Sequence, residues 1–517
     1  MATTYQSPGV YVEEVDRGTK PIQGVGTSTT GFVGITAEAS VKRRDPETGE
    51  AIVIESRLNK PTLVTSWMSY TKIYGEFVDG AYLPDAVYGY FANGGGACFV
   101  TSIRALDDQG DEAKAASVAV PAAKGNSFTV VSKIAGDVGN NLSVTIANDV
   151  DGEGKATGTF SMTVGSQVVK DLSMKKSDSG YIGKASFDAI AVEEIGSAGS
   201  TPNEGTWLLA GGGSPLPTAA DFIGNATQRT GINGFESVDE IRLVVCPDIM
   251  AGYDGSQEAK ERIRGIQKSI VDHCELMKYR FAILDTPSGL NPQEVMEWLE
   301  FLNIDSSYAG LYYPWVEVQD ILNGGTKLIP PSAHIAGVYN RVDSERGVHK
   351  APANEVLRGV VSMEVDVSRR EQDFLNPKGI NCIRPFAGRG LRIWGARTLS
   401  SDGSWRYINV RRLFIYVAAS MDQGLQWAVF EPHDSTLWAK VRRDVDAFLR
   451  NVWGSGALFG NTPNEAYYIK CDGELNPAEV RDAGQLIIEV GISPVKPAEF
   501  VIFRLSQWAG MGSDAAE

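Results

Sequence analysis

The residues of this 517-residue chain that could do chemistry are few, and their spacing does not suit it. Four histidines occur, His273, His334, His349 and His433, and no two stand where one helix face would offer a pair of imidazoles to a metal. The stretch GYIGKA has neither the spacing of a phosphate-cradling loop nor the hydroxyl such a loop needs, since Ala185 occupies that place. Neither a GxSxG nucleophile elbow nor an HExxH pair is present. Asp149, Asp151 and Glu153 alternate in NDVDGEGK as calcium ligands could, but the spacing fails the EF-hand loop and a turn between two strands is the better account of them. LDTP at Leu284 to Pro287 puts a carboxylate at a strand end, where α/β proteins bind ligands, yet it has no acidic or basic partner nearby in sequence. Cys98, Cys246, Cys274, Cys382 and Cys471 are odd in number, scattered and never paired as CxxC, which favours buried free thiols over disulfides or a metal site. The expectation is a protein that is not an enzyme and holds no cofactor or metal.

Charge narrows the partners. The net of −16 is unevenly spread: residues 1 to 341 carry 27 basic and 42 acidic groups, residues 342 to 517 carry 21 and 22. Within the last third, residues 369 to 412 hold nine arginines and Lys378 against Glu371, Asp373 and Asp402. An acidic body repels phosphate, so nucleic acid is not an expected partner. The arginines either make internal ion pairs and carbonyl contacts or face another acidic surface. No run approaches the ~20 apolar residues of a spanning helix, and MATTYQSPG lacks the features of a signal peptide. No membrane contact and assembly in the cytoplasm are expected.

The elements that would position these groups change character along the chain. A length of 517 residues suits several cores rather than one. From residue 17 to 100 strand and helix mix: a strand around Gly31 to Ile35, a helix over Pro84 to Ala92 that stops at Asn93 and three glycines, then the strand CFVTSIR. Residues 105 to 220 are rich in Gly, Ser, Thr and Val, with short alternating runs such as FTVVSKI and NLSVTIAND, and read as an antiparallel β insertion. After residue 235 the rhythm is strand, helix, strand: IRLVVCPDI, a helix over SQEAKERIRGIQKSIVDHCELMKY with Ile263, Ile266, Ile270 and Leu276 or Met277 on its apolar face, RFAILDTP, the helix NPQEVMEWLEFLN, and YAGLYYPWVEV. Connections of that length imply parallel pairing through crossover helices. The last third contains an amphipathic helix, DSTLWAKVRRDVDAFLRNVW, capped by Asp434 or Ser435, with Leu437, Val441, Val445, Phe448 and Val452 on one face and Lys440, Arg443, Asp446 and Arg450 opposite.

The strongest signals lie at the two ends. SPGVYVEEV places a turn at Pro8 and Gly9 before a β-favouring run that includes Val10, Tyr11, Val12 and Glu13. PVKPAEFVIFRLSQW blocks helix at Pro494 and Pro497 and continues as a strand that includes Phe500, Val501, Ile502 and Phe503. Neither run has a hairpin partner beside it, so its backbone N–H and C=O groups need a ladder elsewhere. A polymer that exchanges arms between subunits has this requirement.

Several stretches resemble contractile tail sheath proteins of myovirus tails and contractile injection systems: SPGVYVEEV with RGTKPIQGVGTSTTGFVG, PPSAHIAGVYNRVDSERGVHKAPAN, NPKGINCIRPFAGRGLRIWGARTLS, WRYINVRRLFIYVAASMDQGLQWAVFEPHDSTLW, GALFGNTPNEAYYIKCD and VGISPVKPAEFVIFRLSQW. They cover residues 1 to 35 and nearly all of 330 to 508, while 105 to 220 matches only as a variable insertion; EPHD departs from the pattern, with His433 where Asn is usual. The fold then expected is multidomain α+β and α/β: an N-terminal arm (1–20), an α/β middle domain with crossover helices (21–104 with 225–345), an inserted outer antiparallel β domain (105–224), a C-terminal inner mixed α/β domain (346–495) and a C-terminal arm strand (496–517) swapped between copies. The resemblance implies stacked hexameric rings around an inner tube protein, baseplate and tail-terminator or cap partners, and contraction without nucleotide hydrolysis. It implies that the arm strands enter a neighbour's sheet; the amphipathic helix is then the candidate tube-facing element, with Lys440, Arg442, Arg443 and Arg450 expected to meet acidic tube residues. Two other readings compete: a static tube or capsid protein, and an α/β enzyme built on residues 235 to 330 with β modules.

Overall fold

The computed structural model describes residues 22–44, 51–106, 115–123, 125–135, 139–140, 142–150, 156–165, 167–197, 200–212 and 217–504. Its framework is a nine-stranded sheet in the order Glu355–Val356, Gly390–Ile393, Ile380–Phe386, Ala309–Tyr313, Phe281–Asp285, Leu243–Val245, Thr30–Thr36, Cys98–Ala105 and Thr62–Val64. The six strands from Ile380–Phe386 to Cys98–Ala105 are mutually parallel, and antiparallel strands close both edges. Parallel strands covered on both faces read as continuous apolar runs, and all seven residues of TGFVGIT are buried.

Alternation along these strands divides the core into two layers. Phe32, Leu243, Phe281 and Tyr312 pack on one face with the buried helix Ser332–Arg346 and the helix Leu83–Ala92. Val33, Val244, Ala282 and Leu311 pack on the other with Gln257–Met277 and Pro292–Leu302. Both of these crossover helices start where the sequence placed them. Ser256 accepts from Ala259 N, and Asn291 forms a reciprocal capping box with Glu294. The apolar stripe of the longer helix runs Ile263, Ile266, Ile270, Cys274 and then the half-buried Met277; of the two residues expected to end it, Leu276 is the exposed one, because a residue two past Cys274 lies on the far side of a helix with 3.6 residues per turn.

Residues 115–212 form two antiparallel sheets, Gln167–Leu172, Ala156–Val164, Ser143–Val150 and Gly205–Leu208 in one, Ile190–Glu193, Asn126–Ala135 and Ala115–Pro121 in the other. They enclose their own core, centred on Phe128, Val130, Phe160 and Met162. This unit interrupts the α/β framework between Cys98–Ala105 and Leu243–Val245, as the inserted β composition suggests.

The chain departs from the sequence reading in two places. YAGLYYPWVEV is two strands: Ala309–Tyr313 in the large sheet, then, past Pro314, Val316–Gln319 in a separate three-stranded sheet with Thr326–Ile329 and Val360–Met363. The expected domain boundary at 345/346 also fails as a packing boundary. Ile380–Phe386 pairs in parallel with Ala309–Tyr313, and Ile380 and Cys382 belong to the core of the large sheet, so the framework runs on to about Leu399. Beyond it lie the helices Ile408–Gly424 and Ser435–Gly454 and a ribbon of Tyr467–Lys470 with Glu489–Ile492, sharing a core of Leu413, Val441, Val445, Phe448 and Tyr467.

Candidate assembly site: the chain ends, the ribbon and the C-terminal helix

The ribbon pairs Tyr467 with Ile492 and Lys470 with Glu489. One face rests on the helix Ser435–Gly454, where the Tyr467 hydroxyl donates to Asp446 at 2.8 Å; the other exposes Tyr468. No third strand joins it among the described residues. A lone two-stranded ribbon is marginal in water and offers two rows of backbone groups to further strands.

From the ribbon the chain runs past Pro494, bridged to Leu458, and Val495, whose N–H donates to the Ala457 carbonyl. It then leaves the surface. Phe500, Val501, Ile502 and Phe503 are 72, 71, 79 and 82 % exposed and belong to no strand within the chain. Isolated exposed apolar residues are ordinary, but four in succession with β-favouring side chains form a surface that needs a cover. Val10, Tyr11, Val12 and Glu13 of the expected N-terminal strand lie outside the described residues. The first described residue, Ile22, is buried in the C-terminal core.

The helix Ser435–Gly454 begins as expected: Asp434 accepts from Leu437 N at 2.8 Å, and that bond holds its carboxyl below the usual range. Leu437, Val441, Val445, Phe448 and Val452 are buried. Lys440, Arg443 and Arg450 lie on the exposed side, Arg443 bonded to Asp444 and Arg450 to Asp446, each at 3.1 Å. Arg442 sits apart from these three. It is half-buried and donates to the Cys471 carbonyl, bracing the helix against the end of the ribbon.

Groups that the sequence singled out for other chemistry are used internally. Asp285 of LDTP accepts from Ser332 N at 2.9 Å and Ser332 Oγ at 2.5 Å, which holds the first turn of the helix Ser332–Arg346; burial pushes its carboxyl up to about 7. Asp248, at the end of Leu243–Val245, is also raised to about 7 by burial and accepts from Ile35 N and Tyr82 N. His273 contacts Arg280 Nη1 at 2.6 Å, and His334 is packed against Gly89. All five cysteines are free and buried. Asp151 and Glu153 lie outside the described residues, and among those described no group of three acidic, His or Cys side chains is placed to hold a metal.

Two family models match consecutive parts of the chain, the phage tail sheath protein central domain over residues 229–399 and the phage tail sheath C-terminal domain over residues 400–507. The chain belongs to the phage tail sheath family. The change from one model to the other falls where the large sheet gives way to the C-terminal helices. The sheath protein is 26% identical over 329 residues to a putative prophage major tail sheath protein of Pseudomonas aeruginosa (strain UCBPP-PA14), covering 62% of this chain and 77% of that one. It is also 26% identical over 218 residues to the tail sheath protein of Vibrio phage KVP40, where the match spans 41% of this chain and about a third, 32%, of the relative. Among solved structures it is similar to the anti-feeding prophage helical sheath in the contracted state, at 26% identity and a TM-score of 0.57, covering 98% of this chain and 100% of that one. A chain of the anti-feeding prophage baseplate, 6-fold symmetrised, gives 26% identity and a TM-score of 0.56 over 98% and 99%. The mixed α/β, several-sheet architecture is therefore that of sheath structures.

Proposed function

We propose that the protein is the repeating subunit of a contractile sheath that stacks as hexameric rings around an inner tube, ends at baseplate and terminator proteins, and shortens without nucleotide hydrolysis to drive the tube through a target envelope. The observation that carries this reading is the exposed run Phe500–Phe503 together with a two-stranded ribbon that no third strand among the described residues joins. A strand that cannot pair at home and a sheet that is too narrow at home are complementary halves of β-augmentation between copies. At a net of about 1 kcal/mol per hydrogen bond, a five-bond strand contributes on the order of 5 kcal/mol, weak singly and strong when every copy is tied at both ends. Rigid bodies joined by such arms slide past one another without the lattice dissolving. Contraction is then the relaxation of an extended lattice, held by tube and baseplate, to one with more contact between subunits.

The tube would meet the helix Ser435–Gly454 through Lys440, Arg443 and Arg450, with Arg442 supporting the helix from behind. Exposed charge pairs suit a joint that must release, because they steer and orient while adding modest affinity. Electron microscopy of the overexpressed protein tests the whole reading. Wide hollow helical cylinders are expected; narrow tubes or closed shells would favour a static tube or capsid protein, and compact single particles would remove the assembly reading altogether.

A further inference from the structure

The first described residues of the chain and the segment that precedes Phe500 are both anchored along one seam, between the large sheet and the C-terminal helices, and each of these roots is held by a carboxylate. At the N-terminal root, Ile22 packs against Gly424, Gly24 against Tyr416, and Val25 N donates to Ser420 Oγ at 3.1 Å. Thr27 Oγ1 then donates to Asp343 Oδ2 at 2.6 Å. Arg412 reaches the same carboxylate with both terminal nitrogens, at 3.0 and 2.5 Å, and donates to the Thr27 carbonyl at 3.0 Å. Asp343 lies on the helix of the large sheet and Arg412 on the first C-terminal helix, and both side chains are 3 % exposed.

The C-terminal root is built the same way from unrelated residues. Asn409 Nδ2 donates to the Val495 carbonyl at 3.2 Å and to the His349 carbonyl at 2.8 Å. Four residues on, Glu499 takes a two-pronged bond from Arg397, Nε at 2.9 Å and Nη2 at 2.6 Å, with further bonds from Asn376 Nδ2 at 2.6 Å and the Tyr407 hydroxyl at 3.2 Å. Arg397 is itself fixed by its backbone N–H, which donates to Asn381 Oδ1 on a strand of the large sheet at 2.7 Å. Arg397 and Glu499 are 10 and 19 % exposed, yet the next residue, Phe500, projects into solvent. Burial raises the Glu499 carboxyl, but the bonds from Arg397 and Asn376 outweigh it and leave the group below the ordinary glutamate range.

We propose that Glu499, clamped by Arg397, Asn376 and Tyr407, and Asp343, clamped by Arg412 and Thr27, are positioning residues that fix where and in which direction the two arms leave the subunit. A planar guanidinium gripping a carboxylate with two bonds sets an orientation that a single contact does not. An arm with a fixed exit searches a small volume and meets its acceptor sheet in register; an arm free from Val495 onward does not. Motion between subunits is thereby confined to the arm segments outside the clamps. The inference rests on the arm reading above.

Glu499 is the residue to test, because the Asp343–Arg412 pair is deeply buried and its variants risk unfolding the body. The full chain carries cysteines in place of Glu297, exposed on a helix of the large sheet, and Val501; with the five native thiols buried, a spin label attaches at these two positions. The expected result is a narrow label-to-label distance distribution in the parent and a several-fold broader one in Glu499→Ala, with little change in Tm. Unlabelled Glu499→Ala should give roughly tenfold fewer cylinders at equal concentration, with Glu499→Gln, which keeps an acceptor but loses the charge, in between. An unchanged distance distribution or undiminished assembly in Glu499→Ala overturns the clamp. A chain ending at Glu499 separates the two ideas. If it fails to assemble while Glu499→Ala assembles normally, the arm reading stands and the clamp falls; if it assembles fully, the arm reading fails and takes the clamp with it.

Discussion

At the residue scale, tight packing makes sharp demands that sequence composition conceals. Gly89 lies where the helix Leu83–Ala92 crosses Ser332–Arg346, and a Cβ there would come within 2.0 Å of the His334 ring. Gly89→Ala is expected to destabilise by about 2–3 kcal/mol through overpacking. Gly265, exposed on the helix Gln257–Met277 with nothing near its missing Cβ, gives the opposite sign: Gly265→Ala should stabilise by about 1 kcal/mol. Paired thermal melts check both. His334 also sets a pH response. Burial lowers its pKa to about 4, so the folded state keeps it neutral while the unfolded chain takes up a proton below the ordinary value of 6.5. Its contribution is in place above pH 6.5 and is lost as the pH falls towards 4, a swing on the order of 3 kcal/mol. Asp248 and Asp285, raised to about 7, act in the other sense, their contribution present in acid and lost as the pH rises through 7. Because these oppose one another, the test is the difference in slope: Tm of His334→Asn should fall less steeply between pH 6.5 and 4 than that of the parent. On the helix Ser435–Gly454, Lys440→Glu and Arg443→Glu together should leave Tm within a few degrees and abolish extended sheath on tubes. Extended particles of normal length by electron microscopy would remove the helix from the tube contact.

At the element scale, most of the architecture was legible because helix and strand periods differ and caps are local. Ser256, Asn291 and Asp434 each mark a helix start within three residues of the backbone group they satisfy. In the C-terminal tail the absence of helix was legible from Pro494 and Pro497, while the strand expected at Phe500 to Phe503 does not form within the chain. What holds that tail was not legible. The Glu499 carboxylate gets its bonds from residues 102, 123 and 92 positions away, and nothing local in PAEF separates a clamped glutamate from a solvated one. Arg442 was misplaced with its exposed neighbours because helical spacing gives a face but not the neighbour that covers its margin, here the Cys471 carbonyl. For the tail itself, Ile502→Pro removes one backbone donor from the proposed strand. It should leave the monomer's Tm unchanged and sharply reduce cylinder yield, whereas normal yield would show that the segment does not pair as a strand.

At the scale of the whole molecule, the core of the large sheet runs past the boundary expected at 345/346, because strand partners far apart in sequence leave no local mark. The large sheet recruits Ile380–Phe386 and Gly390–Ile393 from beyond that boundary, and several of the arginines there serve inside: Arg384 donates to the Val367 carbonyl, Arg397 to Glu499 and Arg412 to Asp343. The two antiparallel sheets within residues 115–212, by contrast, share no core residue with the layers of the large sheet among the described residues. Replacing residues 115 to 212 with a short flexible linker should therefore leave a folded body, read as one cooperative melt with Tm close to the parent's. The bare hydrophobic run at 500–503 has a last consequence, for the pool of subunits awaiting use. A body that is finished while its end stays adhesive resembles an undercooled liquid: stable for long periods when dispersed, ready to solidify on any surface of the right pattern. Uniform length in such a system comes from the seed, and a cell that made the subunit without its template would be expected to accumulate hollow cylinders of every length.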